Sequence, residues 1–264
     1  MLDYDFMVNA FAASAIVAVV AGAVGYFLVL RGQAFAGHAL AHVGFTGATG
    51  AILVGASPLW GLVALTVAGG IGMGFLGERA GERDVAIGIV LALALGFGLL
   101  FLHFFTAYAT QATALLFGNV LAVEPATIWT MAALAALCLA LLGVIARPLL
   151  FATLQPELAE ARGVRLRLVS VLFLAVVALA TAECVQVVGV LLVFTLMVGP
   201  AATAQLLVRR VGTGIALAIA LAWAFAWAGL VLAFVTDWPA SFWIALLSGA
   251  AYFAAAGARF TYDA

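Results

Sequence analysis

The sequence predicts an all-α, polytopic membrane protein with about nine transmembrane helices, its N-terminus outside and its C-terminus inside. Three observations predict it. Hydrophobic residues make up 68% of the 264 and charged residues only 8%, where a soluble chain carries about a quarter charged. The apolar runs reach the roughly 20 residues that a bilayer crossing takes. Finally, one assignment of spans places every arginine on the same side of the membrane.

The first run, Phe6 to Leu30, follows Asp3 and Asp5. A cleavable signal peptide carries Lys or Arg at that point and a shorter apolar segment, so this run reads as the first permanent span. The others fall at roughly 38–54, 59–77, 85–104, 126–146, 168–182, 187–207, 213–235 and 239–257. Pro148 is expected to end the fifth span. The stretch from Leu168 to Val208 is broken only by Glu183 and Gln186. As one helix it would run roughly 60 Å, about twice the hydrocarbon thickness. It must therefore fold back, and Glu183-Cys184-Val185-Gln186 is the only polar place to turn.

Orientation follows from the cations, all ten of which are arginine. With the N-terminus outside, Arg31, Arg79, Arg83, Arg147, Arg162, Arg165, Arg167, Arg209, Arg210 and Arg259 all lie on the cytoplasmic side, as positive-inside topology requires. Dropping or adding a span in mid-chain would split them between both faces. Asp3, Asp5, Glu124, Glu183 and Asp237 then form an acidic outer side that would concentrate cations or meet a basic partner.

Composition excludes several functions. A chain without lysine contains no GxxxxGK[ST] phosphate loop, and neither HExxH nor GxSxG occurs. No basic cluster marks nucleic-acid binding. Cys138 and Cys184 show no paired spacing. Ions moved uphill by this chain would take their energy from another subunit or from an ion gradient.

Two of the three histidines, His38 and His42, stand four residues apart at the start of the second span. On a helix that spacing puts both imidazoles on one face, about 5–6 Å apart at Cβ. Polar groups inside a bilayer usually face the bundle interior or a wet cavity, and neutral imidazole ligates zinc and related metals. One helix supplies two of four tetrahedral ligands, and a second copy of the chain or water would supply the rest. The same spacing fits imidazoles that only hydrogen-bond neighbouring helices. His103 stands alone and reads as a packing residue.

The largest inside loop runs from Arg147 to Arg167, at about 148–166. Pro156 starts a short helix through Glu157, Leu158 and Glu160 to Arg162, and Gly163 ends it. The acids at its start and Arg162 at its end suit the helix dipole. It is either a handle for a cytoplasmic partner or a solvated connector. In the seventh span Gly189 permits close helix approach and Pro200 a kink. The run Gly69-Gly70-Ile71-Gly72-Met73-Gly74 looks like a helix-packing face. The outer loop from Phe105 to Pro125 is polar only in its first half, and its apolar Leu115-Leu116-Phe117-Gly118-Asn119 is expected to pack back on the bundle or support docking.

Several stretches together resemble a known family. They are Phe35-Ala36-Gly37-His38-Ala39-Leu40-Ala41-His42, Glu82-Arg83-Asp84-Val85-Ala86-Ile87-Gly88-Ile89, Leu116-Phe117-Gly118-Asn119-Val120-Leu121-Ala122-Val123, Val187 to Leu192 with Gly199-Pro200-Ala201-Ala202, and Pro156 to Val164. From about Phe11 to Phe260 the chain is similar to the membrane-spanning permease subunits of the bacterial ABC importers for zinc, manganese and iron. In that family the first stretch commonly reads Asp-Ala-Leu-Ser-His, its Asp and His associated with the metal path. Here His42 falls on the His, His38 replaces the Asp, and Ala41 replaces the Ser. Imidazole in place of carboxylate shifts preference from manganese toward zinc.

The resemblance implies a single permease domain over 1–264 in the bacterial cytoplasmic membrane, with no cofactor of its own. It further implies a homodimer, ATP bound by a cytoplasmic ATPase, and an extracytoplasmic metal-binding receptor. The cargo would be Zn2+ or Mn2+, and Pro156–Val164 would be the helix seated in the ATPase. A gradient-driven metal carrier working without an ATPase is the alternative.

Overall fold

The computed structural model describes residues 4–75, 80–104, 116, 118, 120–190 and 192–263. Asp3, Glu78, Arg79, Leu115, Phe117, Asn119, Leu191 and the polar half of the outer loop lie outside these residues, as do the side chains of Glu82, Arg83 and Asp263. Among the described residues all regular structure is helical. The helices are α1 (Asp5–Leu30), α2 (Ala34–Leu53), α3 (Pro58–Phe75), α4 (Ala80–His103), α5 (Pro125–Leu154), α6 (Pro156–Ala161), α7 (Leu166–Val188), α8 (Val193–Leu207), α9 (Val211–Thr236) and α10 (Ala240–Asp263), with a 3₁₀ turn at Val120–Ala122.

Among the described residues each expected span overlaps one helix, and the expected short loop helix is α6. Seven of them are long and apolar enough to cross a membrane. The other two are α2 and α8. α2 dilutes its apolar residues with His38, His42, Thr46, Thr49 and four glycines. α8 has only 15 residues, short of the roughly 20 that a full crossing needs.

Two expected boundaries are corrected. α7 does not turn at Glu183-Cys184-Val185-Gln186 but continues through it to Val188. Glu and Gln are good helix formers, and polarity alone does not break a helix. The break comes at Gly189, whose φ of 76° is one that a side chain opposes. Its amide still bonds the Val185 carbonyl at 2.9 Å, closing the last turn of α7. Glu183 is therefore not an outer-surface acid: it is inside the helix and 1% exposed. Nor does Pro148 end the fifth span, because α5 runs on to Leu154. A proline removes one ladder bond, which membrane helices tolerate, and the stop falls instead before Pro156.

The helices group into two compact units. The first comprises Met1–Gly32, Ala114–Ala136 and Glu183–Ala264. Its centre is α1, packed against α8 and α9. Glycines let the backbones touch: a methyl group on Gly22 would lie 2.6 Å from the Ile219 Cα, and one on Gly25 would strike the Met197 carbonyl. Polar side chains add cross-links of the kind expected in lipid. Gln205 Nε2 donates to the Tyr26 carbonyl at 2.8 Å, and Trp227 Nε1 to the Phe11 carbonyl at 3.2 Å. Gly118 lies on the backbone of Val187–Gly189, at the α7–α8 turn; Leu115, Phe117 and Asn119 of the expected apolar half lie outside the described residues.

The second unit comprises Gln33–Thr113 and Leu137–Ala182. Here α2 packs on α3 and α4. The glycine run of α3 is a packing face, as its composition predicts: methyl groups at Gly70 and Gly74 would lie 2.6 Å from the Leu174 carbonyl oxygen and the Val171 Cα of α7. Gly69 meets Val43 of α2, whereas Gly72 faces open space. α5 joins α7 through Cys138, whose thiol approaches the Val176 carbonyl at 3.6 Å.

Candidate functional site

α2 carries both candidate ligands. It begins behind Gln33, whose carbonyl accepts the Ala36 amide at 3.0 Å. At 1.5 Å per residue, His38 stands about 6 Å and His42 about 12 Å from that end. Their ring centroids are 4.9 Å apart with planes at 84°, so the four-residue spacing does bring the imidazoles together on one face. His38 is half-buried and His42 is 6% exposed. Nδ1 of His42 has no hydrogen-bond partner among the described residues. A buried ring nitrogen left without a protein partner is unusual, and it is what an incoming ligand or ion needs.

One further step of four residues reaches Thr46. Its hydroxyl lies 3.1 Å from the His42 carbonyl and 2.5 Å from the Ala94 carbonyl of α4. Thr46 also lines a cleft of about 400 Å³ at the C-terminal half of α2, with Gly50, Gly61, Leu65 and Phe101. His38, His42 and Thr46 thus form a polar stripe that runs from the start of α2 to this cleft. The sequence reading singled out the first two only, although the same helical step points to Thr46.

No group of three or more His, Cys, Asp or Glu side chains able to hold a metal occurs among the described residues. Two imidazoles leave tetrahedral positions open for water or for further ligands. Such a set releases an ion more readily than a closed cage does. His103 is exposed at the end of α4 and packs edge-on against Phe104 at 5.7 Å, away from any ligand pairing. Cys138 and Cys184 are buried and form no disulfide.

Sequence reasoning also misplaced one residue of chemical interest. Both carboxylate oxygens of Glu183 lack a hydrogen-bond partner among the described residues. An acid inside a span normally faces a cavity or pairs with another group. The signal lay in the sequence, as the lone acid within a long apolar stretch, and was read as a turn.

The short loop helix α6 has the expected geometry. α6 starts with Pro156 at its first turn and ends in a left-handed Gly163, φ 83°. The Gly163 amide bonds the Glu160 carbonyl at 2.9 Å and the Val164 amide bonds the Ala159 carbonyl at 3.0 Å, which is a complete Schellman ending. Only Ala159 is buried. Pro156, Glu157, Leu158, Glu160, Arg162 and Gly163 are exposed, so this helix presents nearly all its side chains outward. Gly189 lies in the α7–α8 turn and Pro200 inside α8.

Comparison with known proteins agrees with this fold. The family described as "ABC 3 transport family" matches residues 3–258. A manganese transport system membrane protein, MntC, of Halalkalibacterium halodurans is 29% identical over 238 residues, covering 90% of this chain and 82% of that protein. A probable metal transport system membrane protein of Treponema pallidum is 34% identical over 207 residues, 77% of each chain. Among solved structures, PsaBC from Streptococcus pneumoniae in complex with Fab superimposes with a TM-score of 0.84 at 26% identity, covering 96% of this chain and 91% of that one. The histidine-bearing α2 and the exposed α6 thus sit in a chain that belongs to the ABC 3 transport family, as a multi-pass protein of the cytoplasmic membrane.

Proposed function

We propose that this chain is the permease subunit of an ATP-driven importer for a divalent transition metal, with its N-terminus outside and its C-terminus inside. The His38–His42 pair carries the reading, because its open nitrogen and open coordination positions suit an ion in passage. Relatives named for manganese and metal transport support the cargo class. Two imidazoles without a carboxylate favour zinc over manganese at this site, while the relatives' names favour manganese.

The subunit works as a homodimer whose two α2 helices supply up to four imidazoles. An extracytoplasmic receptor delivers the ion to the acidic outer side. His38 and His42 hold it between gates, and ATP bound by a cytoplasmic partner shifts access through α6. Membrane voltage already favours inward movement of a divalent cation by about 4.6 kcal/mol per 100 mV. ATP therefore serves to extract tightly held metal and to keep the path shut between cycles.

The test is radioactive zinc and manganese uptake by vesicles holding the assembled complex. His42→Ala should abolish uptake with membrane insertion intact. Charge reversal at Glu157 and Glu160 should uncouple ATP hydrolysis from transport. Uptake that survives scrambling of Pro156–Val164 would instead support a gradient-driven carrier.

A further inference from the structure

A second feature of the second unit lies away from the histidines. Gly74 lets the end of α3 touch α7 at Val171. Beside that contact lies a cleft of about 370 Å³ lined by Phe75, Arg165, Arg167, Leu168 and Val171. That volume falls in the roughly 300–1,000 Å³ range of small-molecule sites. Its wall is apolar, and two arginines stand on it, both exposed. Arg167 is held in place: its guanidinium carbon sits 5.3 Å from the centre of the Phe75 ring, and Nη2 donates to the Phe75 carbonyl at 3.2 Å. That bond uses one of five guanidinium N–H donors.

We propose that this cleft binds an anionic phospholipid of the inner leaflet, its phosphate between Arg165 and Arg167 and one acyl chain along Phe75, Leu168 and Val171. The pairing of charge with an apolar slot is what selects this occupant. A free phosphate needs no apolar wall, and a neutral lipid needs no arginine. Arginine is suited to phosphate oxygens by its forked donors, and basic pockets between spans on the cytoplasmic side bind acidic headgroups. The occupant would brace the first turns of α7 against the end of α3. α7 starts at Leu166, three residues past Gly163, so this brace lies directly behind the exposed inside helix. The proposal depends on the membrane placement above and is independent of which ion is carried.

The experiment is native mass spectrometry of the purified full chain, released from mixed micelles of phosphatidylglycerol and phosphatidylcholine. Wild type should retain phosphatidylglycerol in preference. Each arginine near the surface is worth roughly a fivefold preference, so Arg165→Gln should lower retention about fivefold and R165Q/R167Q about 25-fold. Leu168→Trp should lower it by filling the slot with the charges unchanged. Arg165 is exposed, so its variant keeps the test valid if the double variant fails to fold. Equal retention by wild type and Arg165→Gln, or equal retention of the two lipids, would overturn the proposal. Displacement by soluble glycerol phosphate at concentrations matching the lipid would assign the arginines to free phosphate and also overturn it.

Discussion

The hydroxyl of Thr46 donates to the carbonyl of Ala94 at 2.5 Å, joining α2 to α4 one turn beyond His42. The helix that carries both imidazoles is thereby fixed against a neighbour at the edge of the cleft. Thr46→Val keeps the shape and removes the bond. Interhelical hydrogen bonds in membrane proteins average about 0.6 kcal/mol, so thermal unfolding in detergent should shift only slightly. Metal uptake should show a raised KM from the loosened His42. An unchanged KM would mean that Thr46 has no part in holding the stripe.

His38 is the shallower imidazole of the proposed ion path. His38→Asp should shift cargo preference toward manganese, since a carboxylate suits the harder ion. Competition between labelled zinc and manganese in vesicle uptake reads this directly. A ratio identical to wild type would remove His38 from the path while leaving His42 in it.

Gly74 and Gly72 make a matched pair on α3. A methyl at Gly74 would sit 2.6 Å from the Val171 Cα, whereas at Gly72 it would meet nothing within 4 Å among the described residues. Gly74→Ala should destabilise by about 1–3 kcal/mol through overpacking. Gly72→Ala should be neutral or stabilise by up to about 1 kcal/mol through helix propensity. Unfolding curves of the two variants in one detergent check both directions at once.

Glu183 should be replaceable at a gain in stability. Its carboxylate is buried with no partner among the described residues, a situation that costs about 1–3 kcal/mol. Glu183→Met should therefore raise the unfolding temperature. Transport lost in a variant that is more stable would show that the acid is retained for function. A variant that unfolds more easily would show instead that the carboxyl is satisfied in the assembled protein.

Composition and span length made the helical architecture legible, because lipid imposes both on any chain that crosses it. The boundaries were less so. Glu183 looked like a turn because polarity was weighed against burial, while the chain breaks where Gly189 allows a left-handed residue. Pro148 looked like a stop because soluble helices rarely keep an internal proline. The histidine pair was legible from spacing alone, since a four-residue step fixes neighbours on any helix. Thr46 follows the same step, but its bond to Ala94 depends on the packing of α4, which no local pattern contains. The cleft at Arg165 and Arg167 was hidden for the same reason: its walls come from residues about ninety positions apart.

α1 is enclosed by α8 and α9, helices that begin at Val193 and Val211. During synthesis it is made before both and waits for partners that follow well over a hundred residues later. Pairings of such long sequence separation are slow to form. Until then its glycine surface at Gly22 and Gly25 lies against lipid, open to mispairing with any helix that arrives sooner. Truncations that end before α9 therefore leave α1 without part of its seat and its glycine surface uncovered.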